Sequence, residues 1–297
     1  MWVAQDPRSL RVLEQAQQAA TGTAPILIQG EAGTGKNLLA TLIHELSNAA
    51  APLIYFAPAS LPPDLVETEL FGAEDAGVVQ RGRLELAHGG TLVLDELAAL
   101  PRSAQDRLLH VIEEKSFRRP GGTRPVSANV RVVALTVVDL EHLLQSGTVR
   151  GDLLGHFRAN VLSIPALRER SADIPALASR FLDSWSTLHR TTSKTLTASA
   201  LDALRDYPFP ANVTELKQLL ERASAQCQGT EVGPADLPRH VTENAGREQG
   251  ARSLEDVERE HIAKILEFTR GRKTEAADIL GISRKTLLEK RKRYGLG

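Results

Sequence analysis

The 297 residues are enough for two or three domains with cores of their own, so the fold needs no disulfide or metal staple. Apolar residues make up 42% of the chain, no run approaches the roughly 18 that a membrane span needs, and Trp2-Val3-Ala4-Gln5-Asp6 lacks the basic start and apolar stretch of a secretory signal, so a soluble, cytoplasmic protein is expected. The net charge of -1 conceals an asymmetry: from Arg252 onward 12 Lys/Arg face 8 Asp/Glu, against 24 and 29 before it, and a small basic module on an acidic body is the footprint either of a nucleic-acid-binding appendage or of a solvated basic helix.

Pro7 to Thr23 carries apolar residues at helical spacing and is ended by Gly22 and Pro25. An apolar run, Ile26 to Gln29, then meets Gly30-Glu31-Ala32-Gly33-Thr34-Gly35-Lys36-Asn37 and a helical run from Leu38 to Leu46. A polyphosphate needs several inward-pointing backbone N–H groups, which a turn free of Cβ crowding allows, together with a helix N-terminus and an ammonium. Gly30, Gly33 and Gly35 supply the turn and Lys36 the ammonium, so this stretch reads as a phosphate-binding loop. The bare spacing also occurs in turns that bind nothing; strand, helix and lysine together favour the loop. Asn37 stands where a hydroxyl residue usually reaches a Mg²⁺ ion.

Leu53 to Phe56 reads as a second buried strand, and strands alternating with helices imply an α/β fold with a parallel sheet. Gly89 to Glu96 is a third strand ending in two acids. At the carboxyl end of such a strand Asp95 would hold Mg²⁺ and Glu96 would polarise the water that attacks a γ-phosphate. A helix from Ser103 to Glu114, a turn at Gly121-Gly122 and a strand from Val130 to Thr136 follow, with Thr136 placed to touch the γ-phosphate or that water. Leu162 to Ile164 is a further short strand. From Asp173 the pattern is helical throughout, in runs Ile174 to Leu188, Thr197 to Tyr207 and Asn212 to Gln226, which predicts a helical lid. The single cysteine, Cys227, reads as a small buried residue.

Pro238 to Arg252 is polar and glycine-containing, a linker. A helix capped by Ser253 and ended at Gly271 precedes two short helices joined across Gly281. In that unit Ala276, Ala277 and Leu280 permit close packing, Ile282 plugs the turn and Ser283 caps the second helix, which makes a helix-turn-helix. Arg284, Lys285 and Thr286 lie at the N-terminal end of its recognition helix, the part that enters a major groove, while Lys290, Arg291, Lys292 and Arg293 are placed for phosphates.

The sequence resembles the AAA+ domain of bacterial enhancer-binding proteins, the activators of sigma-54 RNA polymerase. The resemblance rests on Gly30 to Lys36, Glu69-Leu70-Phe71-Gly72, Gly89 to Leu97, Leu167-Arg168-Glu169-Arg170 and Tyr207-Pro208-Phe209-Pro210-Ala211-Asn212-Val213, in family order over about residues 2 to 240. It implies a P-loop parallel sheet with helices on both faces, a helical lid and a C-terminal Fis-type helix-turn-helix. The expected division is a nucleotide-binding α/β subdomain at 1–172, a lid at 173–240, a linker at 241–252 and a DNA-binding domain at 253–297. The family further implies ATP and Mg²⁺ as cofactors, and double-stranded DNA and RNA polymerase holoenzyme as partners. It implies a homo-oligomer, from dimer to ring, with a basic finger of the neighbour completing each site.

Departures from the family pattern carry information too. Only Ala73 to Arg81 separate Gly72 from Gly82, several residues short of the family's Gly-Ala-Phe-Thr-Gly-Ala loop and with no aromatic tip. The asparagine expected to restrain Glu96 falls at Ala57, the one after the sensor threonine at Val137, and the lid's sensor arginine at Thr214. The finger pair falls on Arg150 and on His156, with Arg158 close enough to substitute. Losing charge-stabilising groups of this kind costs on the order of 10³-fold each when they act fully in the transition state, so weak or lost hydrolysis is expected. Three functions stay open at this point: a sigma-54-independent regulator, a remodelling ATPase that activates sigma-54 polymerase, and a module in which ATP is only a ligand.

Overall fold

A computed structural model of the chain describes residues 2–76 and 78–242 and, beyond them, 258–294 without 260, 264, 267, 268, 270 and 271. The chain divides into two compact units, residues 1–245 and 246–297.

In the larger unit α1 (Pro7–Ala20) leads into β1 (Ile26–Gln29), α2 (Lys36–Asn48), β2 (Leu53–Phe56) and α3 (Pro63–Phe71). Next come a hairpin of β3 (Ala73–Asp75) and β4 (Val78–Gln80), then α4 (Arg83–Leu86), β5 (Thr91–Asp95) and α5 (Arg102–Glu114). A second hairpin, β6 (Ser116–Arg118) with β7 (Pro125–Ser127), precedes β8 (Arg131–Thr136), α6 (Leu140–Ser146), α7 (Gly151–Phe157) and β9 (Val161–Ser163). The central sheet is parallel and five-stranded, in the order β2-β5-β8-β1-β9.

Because side chains alternate along a strand, each strand feeds two cores. Leu27, Leu92, Leu94, Val132 and Ala134 pack on one face with Leu70, Phe71, Leu108 and Phe157. Ile26, Ile28, Val93, Val133 and Leu135 pack on the other with Val12, Ala16, Leu39 and Ile43. The sheet order puts β8 between β1 and β5, so the loop after β1 and the acids after β5 both border the end of β8.

The lid follows as α8 (Ile174–His189), α9 (Ala198–Asp206) and α10 (Asn212–Gln226) around a third core that includes Leu167, Leu182, Phe209 and Leu216. It is not helical throughout: β10 (Thr195–Leu196) and β11 (Glu231–Val232) pair in parallel, two residues each, a length that leaves no readable alternation. The stretch read as a linker opens instead as a helical turn, α11 (Arg239–Thr242), because Val241 is fully buried in the lid core. The rest of that stretch, 243–252, lies outside the described residues, as do Ser253 and Gly271. Cys227 is buried.

In the smaller unit the described residues from 258 to 266 are helical, followed by helices Lys273–Ile279 and Arg284–Tyr294. Ile262, Ala276, Ala277 and Leu287 form its core, with Leu280 and Ile282 packed against it. Gly281 makes the turn at φ 66°. No helix of the described residues is long and apolar enough to cross a membrane.

Candidate nucleotide site and nucleic-acid interface

The glycine loop leaves β1 with Gly33 at φ 76° and Gly35 at φ 105°, left-handed conformations in which a Cβ is strained. At Gly33 space forbids one as well: a Cβ would lie 2.2 Å from the Ala211 carbonyl oxygen. The α2 helix begins directly after Gly35, two residues earlier than the apolar pattern indicates, which puts Lys36 and Asn37 in its first turn with their N–H groups free of intrahelical bonds. Lys36 Nζ donates to the Gly30 and Glu31 carbonyls at 2.7 and 3.0 Å, and Thr34 Oγ1 donates to Glu31 at 2.8 Å. Burial pushes the Lys36 ammonium below its ordinary range, opposed by Glu96 and Asp95 across the cleft. An ammonium, a helix N-terminus and loop amides thus converge at one place, and that donor set fits a polyphosphate.

The lid grips the same loop. Asn212 is fully buried at φ 53°, its Nδ2 donating to Ala32 O at 2.9 Å and to Glu31 Oε2 at 3.1 Å while its Oδ1 accepts from Leu167 N at 2.7 Å. Val213 N donates to Gly33 O at 3.0 Å, and Arg170 Nη2 to Thr34 O at 2.7 Å. Arg168 spans both Glu31 oxygens at 2.5 and 2.9 Å. Those hydrogen bonds, with that of Asn212, hold the Glu31 carboxyl down at about 2. Sequence reasoning used these residues only as marks of resemblance. Their partners in the glycine loop lie 136 to 181 positions away, where no local pattern reaches.

At the carboxyl end of β5, Glu96 stands at φ 66° and both its oxygens are engaged. Oε1 accepts from Thr136 Oγ1 at 3.0 Å and Oε2 from Val137 N at 3.1 Å. The restraint expected from position 57, where Ala57 has no polar side chain, thus comes from the end of β8. Asp95 lies beside it on β5. Among the described residues no group of three or more His, Cys, Asp or Glu could hold a metal, so a Mg²⁺ at Asp95 would draw its other ligands from phosphates and water, as that ion ordinarily does.

Arg150 lies between Asp106, at 2.5 Å, and Asp152, at 2.5 Å, ion pairs within its own chain that raise the guanidinium further and lower Asp152 to about 2. All three side chains are a third to a half exposed, so solvent screens these pairs. His156 meets Glu113 at 3.2 Å, and Arg158 is exposed just past α7.

In the smaller unit Ser283 caps the last helix, accepting from Thr286 N at 3.1 Å. Arg284 and Lys285 are exposed at its start, and Lys292 and Arg293 near its end, with Arg291 half-buried. Lys290 departs from the phosphate-facing role: it donates to Glu258 at 2.5 Å, and Tyr294 OH donates to the same carboxylate at 2.7 Å, tying the last helix to the first.

Three family models match in sequence: "Sigma-54 interaction domain" over residues 2–165, "AAA+ ATPase lid domain" over 168–254 and "Bacterial regulatory protein, Fis family" over 253–294. The transcriptional regulatory protein ZraR of Escherichia coli K12 is 38% identical, the match covering 97% of this chain and 67% of that protein. The regulatory protein AtoC of the same strain is 35% identical over 98% of this chain and 67% of its own length. The chain therefore spans about two thirds of such relatives. A crystal structure of NtrX from Brucella abortus in complex with ATP superposes with a TM-score of 0.77 at 28% identity, covering 100% of this chain and 70% of that one.

The Glu31 geometry yields a pH prediction. Its folded value, about 2, lies below the ordinary 4.5, so the tie to Arg168 steadies the closed lid above about pH 4.5 and is lost as pH falls toward 2. In Arg168→Ala, carboxyl NMR titration is expected to find the Glu31 midpoint raised toward its ordinary value, with the part due to Asn212 remaining; an unmoved midpoint would assign the depression to Asn212 alone.

Proposed function

The chain belongs to the family of transcription regulators with a sigma-54 interaction domain, an AAA+ lid and a Fis-type helix-turn-helix, and from that membership we propose an ATP-binding, sequence-specific DNA-binding regulator that does not activate sigma-54 polymerase. ATP, with Mg²⁺ at Asp95, sits on Gly30 to Asn37. The protein assembles with copies of itself, from dimer to ring, in the bacterial cytoplasm, binds double-stranded DNA through the smaller unit and acts on RNA polymerase holoenzyme. The ATP complex of NtrX and the donor set around Lys36 support the nucleotide assignment.

The observation that carries the sigma-54 part is the hairpin of β3 and β4. Ala73 pairs with Gln80, Glu74 with Val79 and Asp75 with Val78, so only two positions of sequence separate the paired strands. Its base is stapled: Glu74 N donates to Pro120 O at 2.9 Å, and Arg119 joins Glu74 at 3.4 Å and Glu85 at 2.7 Å with little exposure. The pairing fixes the register, and two intervening positions limit the reach. What the tip presents is Val78 and Val79, 74% and 47% exposed, without an aromatic ring. A surface contact that needs a long loop with a large side chain at its end has neither here.

Turnover is slow in this reading. Glu96 would accept the proton of the attacking water, but both its oxygens are committed to β8. Arg150, the finger candidate, is held by its own acids, Arg158 is the nearby alternative, and Val137 and Thr214 replace charge-orienting groups. The presence of Lys36, Asp95 and Glu96 together favours a second reading, a working remodelling ATPase, and measurement separates the two.

In reconstituted sigma-54-dependent transcription the unmodified protein is expected to be inactive, and a Gly-Ala-Phe-Thr-Gly-Ala loop grafted after Asp75 to restore some activity; ATP-dependent activation without the graft would refute the proposal. Steady-state hydrolysis should lie near background and change little in Glu96→Gln, whereas brisk turnover abolished by that substitution would establish the second reading. On DNA, Arg284→Ala should relax sequence choice by about 1–3 kcal/mol, the worth of a bidentate base contact. Lys292→Ala should weaken cognate and random DNA alike; equal losses on both from Arg284→Ala would remove it from the base-reading set.

A further inference from the structure

Asp173 stands at the start of α8 and is fully buried, yet its carboxylate makes no bond to its own helix. An aspartate in that place ordinarily caps the helix. Here the side chain is turned to a distant part of the chain. Oδ1 accepts from the backbone N–H of Gln5 at 2.6 Å and of Asp6 at 2.8 Å, and Oδ2 accepts from the buried Ser9 hydroxyl, 164 to 168 positions away. The Arg170 guanidinium, itself 2% exposed, stands 3.8 Å from Oδ2. A buried carboxylate is tolerated when donors and an opposite charge surround it, and loss of any of them is costly.

From Asp173 two routes lead to the glycine loop. The first is Arg170, whose Nη2 donates to Thr34 O at 2.7 Å. In a planar trans peptide the carbonyl and the following N–H point opposite ways, so a grip on Thr34 O fixes the direction of the Gly35 N–H, one of the amides that an anion in the loop needs. The second is Trp2, carried by the segment that Asp173 holds. Its ring lies 3.4 Å from the position a Cβ on Gly35 would take, and it lines one cavity with Thr34 and Gly35. Arg170 lies over the same ring, 5.6 Å from the centroid. The Arg170 Nε has no hydrogen-bond partner, so Asp173, Trp2 and Thr34 between them set the place of the guanidinium.

We propose that Asp173 is a positioning residue of the nucleotide site, coupling the segment Trp2 to Ser9 to the glycine loop through Arg170. The inference rests on the nucleotide-binding reading above and deepens it: affinity for nucleotide depends on how that segment is seated. With the segment in place, its donors share the Asp173 charge and Arg170 stays on Thr34. With the segment withdrawn, the carboxylate loses the Gln5, Asp6 and Ser9 donors together, and Arg170, the opposite charge beside it, is drawn toward it and away from the loop.

Hydrogen exchange at the loop amides without nucleotide, and calorimetric titration of ATP, test this on the full chain. Asp173→Asn keeps an acceptor for Gln5 and Asp6 but removes the charge facing Arg170. It is expected to speed exchange at Gly35 and weaken ATP about tenfold, and Ser9→Ala, the milder change, about threefold. Asp173→Asn combined with Arg170→Gln is expected to lose no more affinity than Arg170→Gln alone, because the one residue acts through the other. Additive losses would make Asp173 a residue that only stabilises the fold. In a Trp185→Phe background, where Trp2 is the one remaining tryptophan, Ser9→Ala is expected to shift its emission to the red. An unmoved emission, or unchanged exchange and affinity in both Asp173→Asn and Ser9→Ala, would overturn the coupling. A parent protein that takes up no ATP would instead bring down the nucleotide-binding reading, and amide exchange would still decide the coupling.

Discussion

The buried amide of Asn212 is the contact on which the rest of the nucleotide unit depends. One side chain satisfies the Ala32 carbonyl of the glycine loop, the Glu31 carboxylate and the backbone N–H of Leu167, which opens the lid's own core. It does so from a left-handed backbone conformation that asparagine tolerates better than most residues. From there α10 runs away from the loop with Val213 already bonded to Gly33. Loop shape and lid position are therefore specified by the same few atoms. A group that fits the glycine loop meets a lid already pinned to it, and opening the lid would break bonds in the loop.

The parallel sheet was legible because Ile26–Gln29, Leu53–Phe56, Thr91–Asp95 and Arg131–Thr136 are short apolar runs separated by helical stretches, and two-sided burial leaves that imprint. The glycine loop was legible because its requirements are local: positive φ, a helix start and a lysine, all within eight residues. What sequence could not provide is whatever depends on distant partners. The second role of Arg168 and Arg170, the pairing of Arg150 with Asp106, and the lysine at 290 turned toward Glu258 are all pairings across tens of positions or more. The short strands of the lid escaped for a different reason, since a pair of two-residue strands carries no period. Trp2 escaped because a single aromatic near a chain start has no pattern around it; only its neighbours in space show what it lines.

The two hairpins share one construction. Beneath β3 and β4, Arg119 on the loop of the second hairpin is bidentate to Glu85 and touches Glu74, at 14% exposure for the arginine and 10% for Glu85. Largely shielded pairs of this kind add little net stability but penalise any arrangement that separates them. The result is a shelf of fixed shape rather than an extensible arm. The residues it displays, Val78 and Val79, suit a shallow apolar contact.

Glu96 and Thr136 set a last condition. A threonine hydroxyl carries a single hydrogen, and in this structure Thr136 gives it to Glu96 while accepting from Val138 N at 3.0 Å. That hydrogen can serve the carboxylate or a phosphate oxygen, never both. Arrival of an anion at the end of β8 therefore poses an exclusive choice. Either Thr136 keeps Glu96 quiet or it turns to the anion and leaves the carboxylate with one bond fewer. A sensor and a brake made from the same proton could not be engaged together, and one hydroxyl would then have two positions to choose between.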